Sequence, residues 1–177
     1  MRKLVLLNGP PGVGKSTLAR RYADEHPMTL ALEIDGVRAM LGAWLTQFDR
    51  SGPAARRIAV SMAITHLRGG YDVLVPQLLT RREFVERLRD VASTEGAAFH
   101  EITLLDDRAA VLERARQRDE SDGFSARALA AKQGSSLEKS YDAFVEALGE
   151  RPDAIVIDAS SPDAAYAALV EHLALTA

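Results

Sequence analysis

Residues 9–16 of this 177-residue chain read Gly-Pro-Pro-Gly-Val-Gly-Lys-Ser, and that run limits the fold more than any other segment. Gly9, Gly12, Gly14, Lys15 and Ser16 complete the Walker A pattern, whose glycines let the backbone curl until successive N–H groups face one anion. The mechanism needs a strand before the loop and a helix after it. Both are present. Lys3-Leu4-Val5-Leu6-Leu7-Asn8 is a short, continuous apolar run of the kind that is buried on both faces of a parallel sheet. Lys15 to Glu25 carries Leu18, Ala19 and Tyr22 at helical spacing, and the start of such a helix adds partial positive charge. A glycine-rich turn with no ligand is the bland reading; strand, complete loop and helix together weigh against it. Gly9, Pro10, Pro11, Gly12, Val13, Gly14, Lys15, Ser16 and Thr17 are therefore expected to bind ATP. Lys15 should reach the β- and γ-phosphates, Ser16 should ligate Mg²⁺, and Thr17 is placed for the α-phosphate.

Similar apolar runs recur at Thr29 to Ile34, Asp72 to Val75, Phe99 to Leu105 and Ala154 to Ile157, with amphipathic stretches between them. Ala55, Ile58, Ala59, Met62 and Ala63 form one helical stripe, and Ala165, Ala168, Leu169 and Leu173 another. Five strands alternating with helices predict an α/β fold whose parallel sheet is covered on both sides. Ala43 to Gly52, with its Ser51-Gly52-Pro53 turn signal, reads as a loop over the sheet edge, and Gln117 to Gly134 as a polar, weakly helical stretch. With 47% apolar residues and no linker or repeat, residues 1–177 are expected to form a single domain. The formal charge of −3, with 22 basic and 25 acidic residues interspersed, provides no general attraction for nucleic acid or an anionic membrane. No cysteine is available for a disulfide or thiolate metal site, and no signal peptide or bilayer-length apolar run is evident, so a soluble cytoplasmic protein is expected.

Motor, GTPase and AAA-type ATPases normally need a longer chain and an acidic Walker B strand or a base-specificity motif, none of which is evident. A different candidate is Glu33-Ile34-Asp35 at the end of the second apolar run, followed by Arg38. Strand alternation would point Glu33 and Asp35 to one side, at the strand end where ligands sit in open α/β sheets. There Asp35 would orient or deprotonate an acceptor hydroxyl, Arg38 would hold the acceptor, and Glu33 would assist Mg²⁺ through water. Which carboxylate meets the metal is open, and the bland reading of Asp35 is a helix cap.

With these residues the chain resembles the small P-loop kinases related to shikimate and gluconate kinases, chloramphenicol phosphotransferase and the zeta-toxin-like kinases. The resemblance covers most of the chain and rests on Gly9 to Thr17, on Glu33-x-Asp35-x-x-Arg38, on an arginine helix and on the final strand and loop. It implies a P-loop NTPase fold, with a five-stranded parallel sheet in the order 2-3-1-4-5, a lid at about 117–134, and transfer of the ATP γ-phosphate to a small acceptor. Arg114 and Arg118, four residues apart, share a helix face and resemble the lid arginines of such kinases, whereas Arg116 points away. Arg118 is also expected near the adenine. Ser160 and Ser161 fall in the loop that borders the adenine in similar kinases, and Ser161 is equally a helix N-cap before Pro162. Gln77 departs from the pattern: many relatives carry an Asp after the third strand, and an amide cannot supply that charge, so Gln77 is expected to hydrogen-bond the acceptor.

Trp44 and Phe48 are spaced either to line an acceptor pocket or to seal the core edge, and the four histidines show no metal-ligand spacing. The reading is an ATP-dependent phosphotransferase acting on a hydroxyl of a metabolite, sugar or antibiotic. A nucleoside or nucleotide kinase is the alternative within the class, and an ATP-binding regulatory switch the alternative from another.

Overall fold

The computed structural model of the protein describes residues 1–122, 136–151 and 154–175. Its strands are β1 (Lys3–Asn8), β2 (Leu30–Ala31), β3 (Val73–Pro76), β4 (Ala98–Leu105) and β5 (Ile155–Asp158). They form an all-parallel sheet in the order β2-β3-β1-β4-β5, as the resemblance implied. β1 is central because its residues tolerate burial on both faces: Leu4, Val5, Leu6 and Leu7 are all fully buried.

Alternation along the strands divides the core in two. Leu4 and Leu6 join Val73 and Val75 beneath α2 (Ile34–Ala39), α3 (Phe48–Arg68) and α4 (Arg82–Thr94). Val5, Leu7, Leu74, Ile102 and Leu104 pack beneath α1 (Lys15–Glu25), α5 (Arg108–Asp122) and α7 (Pro162–Leu175). A further helix, α6 (Leu137–Gly149), has Ser136 as its N-cap and buries Phe144. α3 presents Ala55, Ala59, Ala63 and Leu67 inward; Ile58, expected on this stripe, falls outside it and is exposed. Burying a side chain such as Leu6 gains about 2 kcal/mol, so a polar residue there would cost the sheet its anchor. No helix among the described residues is long and apolar enough to cross a membrane.

Three expectations are corrected. The second strand is shorter than Thr29 to Ile34: only Leu30 and Ala31 pair with β3, the Leu32 N–H makes a last bond to the Leu74 carbonyl at 2.8 Å, and α2 starts at Ile34. Strand alternation therefore does not govern Glu33 and Asp35. Glu33 is the extended residue before α2 and Asp35 lies in its first turn, where the helix end favours negative charge.

α3 begins at Phe48, so Ser51, Gly52 and Pro53 lie inside a helix and not in a turn. The proline lacks an N–H and so removes one helical bond, and side chains hold the first turn that precedes it. Ser51 Oγ lies within hydrogen-bonding distance of the carbonyls of Trp44 (3.0 Å) and Phe48 (3.1 Å) and accepts from Arg38 Nε at 2.9 Å. Of the expected lid, residues 117–122 continue α5, and 123–134 lie outside the described residues.

Candidate active site

The loop between β1 and α1 depends on glycines where close approach forbids a side chain. A Cβ on Gly9 (φ +150°) would lie 2.7 Å from the Leu104 carbonyl oxygen, and one on Gly12 (φ +87°) 2.8 Å from the Ala115 nitrogen of α5. Val13 is buried and pins the loop to the core. Lys15 Nζ donates to the carbonyls of Gly9 (2.9 Å) and Pro10 (2.8 Å), folding the half-buried side chain back over the loop. Desolvation, helped by the positive charge of Arg118 and opposed by Asp35, lowers the Lys15 pKa to about 7. Polyphosphate oxygens would restore its charge.

Ser16 and Thr17 open onto a cleft of about 650 Å³ that runs along α1 past Arg20, Arg21, Asp24 and Glu25 and is also lined by Glu33 and Arg118. A loop with no room for a Cβ at Gly9 and Gly12, a lysine at its end and two hydroxyls on the following helix are a donor set that fits a nucleoside triphosphate. Among the described residues no three acidic or histidine side chains gather as a metal cage. A magnesium ion here would rest on Ser16, on phosphate oxygens and, through water, on Glu33. Glu33 is held by Arg20 at 2.8 Å.

Asp35 meets this site from the other side. Desolvation raises its carboxyl pKa, Arg38, Lys15 and Arg118 lower it, and nearby Glu33 pushes it up, so residues distant in sequence share one electrostatic neighbourhood. The carboxylate is surface-exposed yet crowded on the side facing the loop. Arg38 is committed to α3: Nη2 donates to the Phe48 carbonyl, and the guanidinium lies 3.5 Å from the centre of the Phe48 ring and 5.7 Å from that of Trp44. Trp44 and Phe48 thus form an aromatic wall on which Arg38 rests.

The remaining expected residues are placed as follows. Gln77 leaves β3 with its N–H on the Leu7 carbonyl at 3.0 Å, half-buried. Arg118 lines the cleft, while Arg114 bonds the Gly12 carbonyl and Asp106. Arg116 pairs with Glu138 of α6. The Ser160 N–H is taken by Asp158 Oδ1 at 2.9 Å, and Ser161 Oγ lies 3.4 Å from the Ala164 N–H in the first turn of α7.

Sequence reasoning missed Asn8, whose fully buried amide ties the phosphate loop to the segment after β3. Its signal was present: a lone polar residue ending an apolar strand next to the first glycine. It also missed Arg20 and Asp106, whose partners are 13 and 8 residues away, and the approach of His172 Nε2 to His100 Nδ1 at 3.3 Å, which only the tertiary fold creates.

The fold and this loop define a P-loop nucleotide-binding protein of the α/β class. The chain belongs to the AAA_33 family, described as an AAA domain, whose profile matches residues 4–143. That name corrects the exclusion of AAA-type proteins on length, although β3 still runs into Gln77 with no carboxylate at that position. No curated protein matches. Similar solved structures include a sugar kinase from Janibacter sp. HTCC2649, at 21% identity over 99% of this chain and 94% of that one, with a TM-score of 0.66. A gluconokinase from Sinorhizobium meliloti 1021 follows at 16% identity, 99% and 97% coverage and a TM-score of 0.57. The APS kinase of Mycobacterium tuberculosis, in complex with AMPPNP and APS, matches at 20% identity, 84% and 98% coverage and a TM-score of 0.54. The resemblance to small P-loop kinases drawn from the sequence is thereby borne out at the level of family and fold.

Proposed function

We propose that this protein is an ATP-dependent phosphotransferase that moves the γ-phosphate to a hydroxyl of a small molecule. The observation that carries the reading is the convergence of Asp35, from α2, with Lys15 and Arg118 at the mouth of the phosphate loop, each within electrostatic reach of the others. An ATPase needs only the loop and a positioned water; a carboxylate that feels both Lys15 and Arg38, the latter resting on Trp44 and Phe48, has the additional role of meeting an acceptor. The names of the similar structures, a sugar kinase and a gluconokinase among them, support the same class.

ATP with Mg²⁺ supplies a phosphoryl group activated for in-line transfer. The loop amides and Lys15 hold the phosphates, and Arg118 offsets charge on the transferring group. Asp35 accepts the acceptor's hydroxyl proton as that oxygen bonds phosphorus and the bond to the ADP oxygen breaks. Arg38, fixed by Phe48 and Ser51, orders the wall against which the acceptor lies. Ser16 and water-linked Glu33 hold the metal, and Ser160, Ser161 and Gln77 border the two ligands. Residues 1–177 act as one domain in this reading, in the cytoplasm and without a nucleic-acid or membrane partner.

The test is ADP release from Mg-ATP across sugars, nucleosides, nucleotides and hydroxylated antibiotics, with Lys15→Ala as the blank. Lys15-dependent turnover stimulated by one acceptor class is expected. Tight ATP binding with no stimulation by any acceptor would favour a nucleotide-dependent switch instead.

A further inference from the structure

Arg114 is expected from the sequence to close on the phosphates beside Arg118, but its guanidinium is engaged elsewhere. Nε donates to the Gly12 carbonyl at 3.1 Å, and Nη2 donates to Asp106 Oδ2 at 2.6 Å. Asp106 is a firm anchor: its side chain is 7% exposed, and Tyr141 Oη on α6 donates to its backbone carbonyl at 3.2 Å. Gly12 itself is pressed onto the α5 backbone.

The Gly12 carbonyl and the Val13 N–H belong to one planar peptide group and point in opposite directions. Holding the oxygen outward on Arg114 turns the N–H into the loop. There its protein partner is the Pro10 carbonyl at 3.4 Å, long for a hydrogen bond and easily given up to an anion. We propose that Arg114 is a positioning residue: braced by Asp106, it fixes the Gly12–Val13 peptide so that the Val13 N–H faces a bound phosphate which Arg114 does not touch. This rests on the loop being a phosphate cradle and not on the identity of the acceptor.

The experiment measures equilibrium binding of inorganic pyrophosphate and of ATP to the full chain and to Arg114→Ala, Asp106→Asn and the double variant, each checked for folding by thermal melting. Expected is an equal loss for both ligands, about tenfold in Arg114→Ala, the size set by one hydrogen bond to a charged group. Asp106→Asn should give part of that loss, and the double variant should bind no worse than Arg114→Ala. At saturating ATP and acceptor, Arg114→Ala should turn over within about twofold of the parent, so the defect is in affinity and not in the chemical step. A loss confined to ATP would assign Arg114 to the base; strictly additive losses, or none, would also overturn the inference. Asp106→Asn, nearly isosteric, carries the test if Arg114→Ala does not fold. A parent protein that binds no pyrophosphate overturns the cradle itself, an outcome distinct from a parent that binds and an Arg114→Ala variant that binds equally well.

Discussion

Asn8 and Leu79 are joined twice: Asn8 Oδ1 accepts the Leu79 N–H at 2.9 Å, and Asn8 Nδ2 donates to the Leu79 carbonyl at 3.0 Å. The same Oδ1 accepts the Gly9 N–H at 2.9 Å, so one amide sets both the entrance to the phosphate loop and the segment that follows Gln77. Asn8 is fully buried, so bulk solvent does not reach these bonds. Asn8→Ala leaves two N–H groups and a carbonyl without partners, and a loss of about 3 kcal/mol is expected by denaturant unfolding. Asn8→Asp keeps the acceptor and loses the donor while burying a charge, so it should be no milder than alanine.

The parts of this site that were legible in the sequence are those where local chemistry and local geometry coincide. A buried strand, a glycine turn and a helix start are all encoded within Lys3 to Glu25, and the loop needs nothing from the rest of the chain to be recognised. Asp35 was singled out on a strand geometry that the structure replaces with a helix start. The apolar run Thr29 to Ile34 reads as one strand, but pairing stops at Ala31 and α2 starts at Ile34, because Leu32 and Ile34 can be buried at a helix approach as readily as in a strand. Pro53 misled for the opposite reason: its turn signal is real, yet a helix runs through it, and Ser51 and Arg38 tie the carbonyls of Trp44 and Phe48 at the start of that helix. The role of Arg114 was beyond pattern reasoning, since a bond to a backbone oxygen 102 residues away leaves no mark on helical spacing.

Lys15 should take up a proton when nucleotide binds. Its pKa of about 7 in the ligand-free protein means that it is mostly neutral at pH 8, and phosphate oxygens stabilise the ammonium form. Calorimetric titration with Mg-ATP at pH 8, repeated in buffers of different ionisation enthalpy, should show uptake approaching one proton, falling away toward pH 6. Lys15→Met should bind more weakly with no uptake; equal uptake in that variant would assign the proton to another group.

Asp35→Asn should lower acceptor-dependent turnover by about 10²-fold or more while ATP affinity stays within a few-fold, because the amide keeps the shape and loses the base. The carboxyl pKa is raised chiefly by desolvation, so the ionised base is lost on acidification at a higher pH than for an ordinary aspartate. The acid limb of kcat/KM should therefore lie above that of an ordinary aspartate and be absent from the residual activity of Asp35→Asn. An unchanged acid limb would place the base elsewhere.

His100 gives stability its own pH dependence. It is buried, its Nε2 has no hydrogen-bond partner among the described residues, and burial with the charges of His172 and Lys3 holds its pKa below 6.5, with Asp72 opposing. Protons therefore bind the unfolded chain first as pH falls through 6.5, and stability should drop from that point down to the lower folded pKa, with no effect above it. The part of the decline between pH 6.5 and 5.5 that disappears in His100→Gln measures this linkage; an identical decline in both proteins would assign it to other groups.

Two glycines near the site should respond to alanine in opposite ways, and the contrast separates helix propensity from close approach. Gly52 lies inside α3, where glycine costs about 0.5–1 kcal/mol relative to alanine, and an added Cβ would meet the Arg38 guanidinium at 3.7 Å, an ordinary contact. The ring of Pro53 crowds a Cβ on the residue before it and offsets part of this gain, so Gly52→Ala should raise Tm by about 1–2 °C, with Arg38 kept on its Phe48 shelf. Gly12→Ala meets a positive φ and the backbone of α5 together, so either the loop or the helix must shift by more than a side-chain adjustment can provide. It should lower Tm and abolish pyrophosphate binding in the same protein. If Gly12→Ala binds pyrophosphate normally, the contact between loop and α5 is not what shapes the cradle, and the pull of Arg114 on the Gly12 carbonyl loses its purpose.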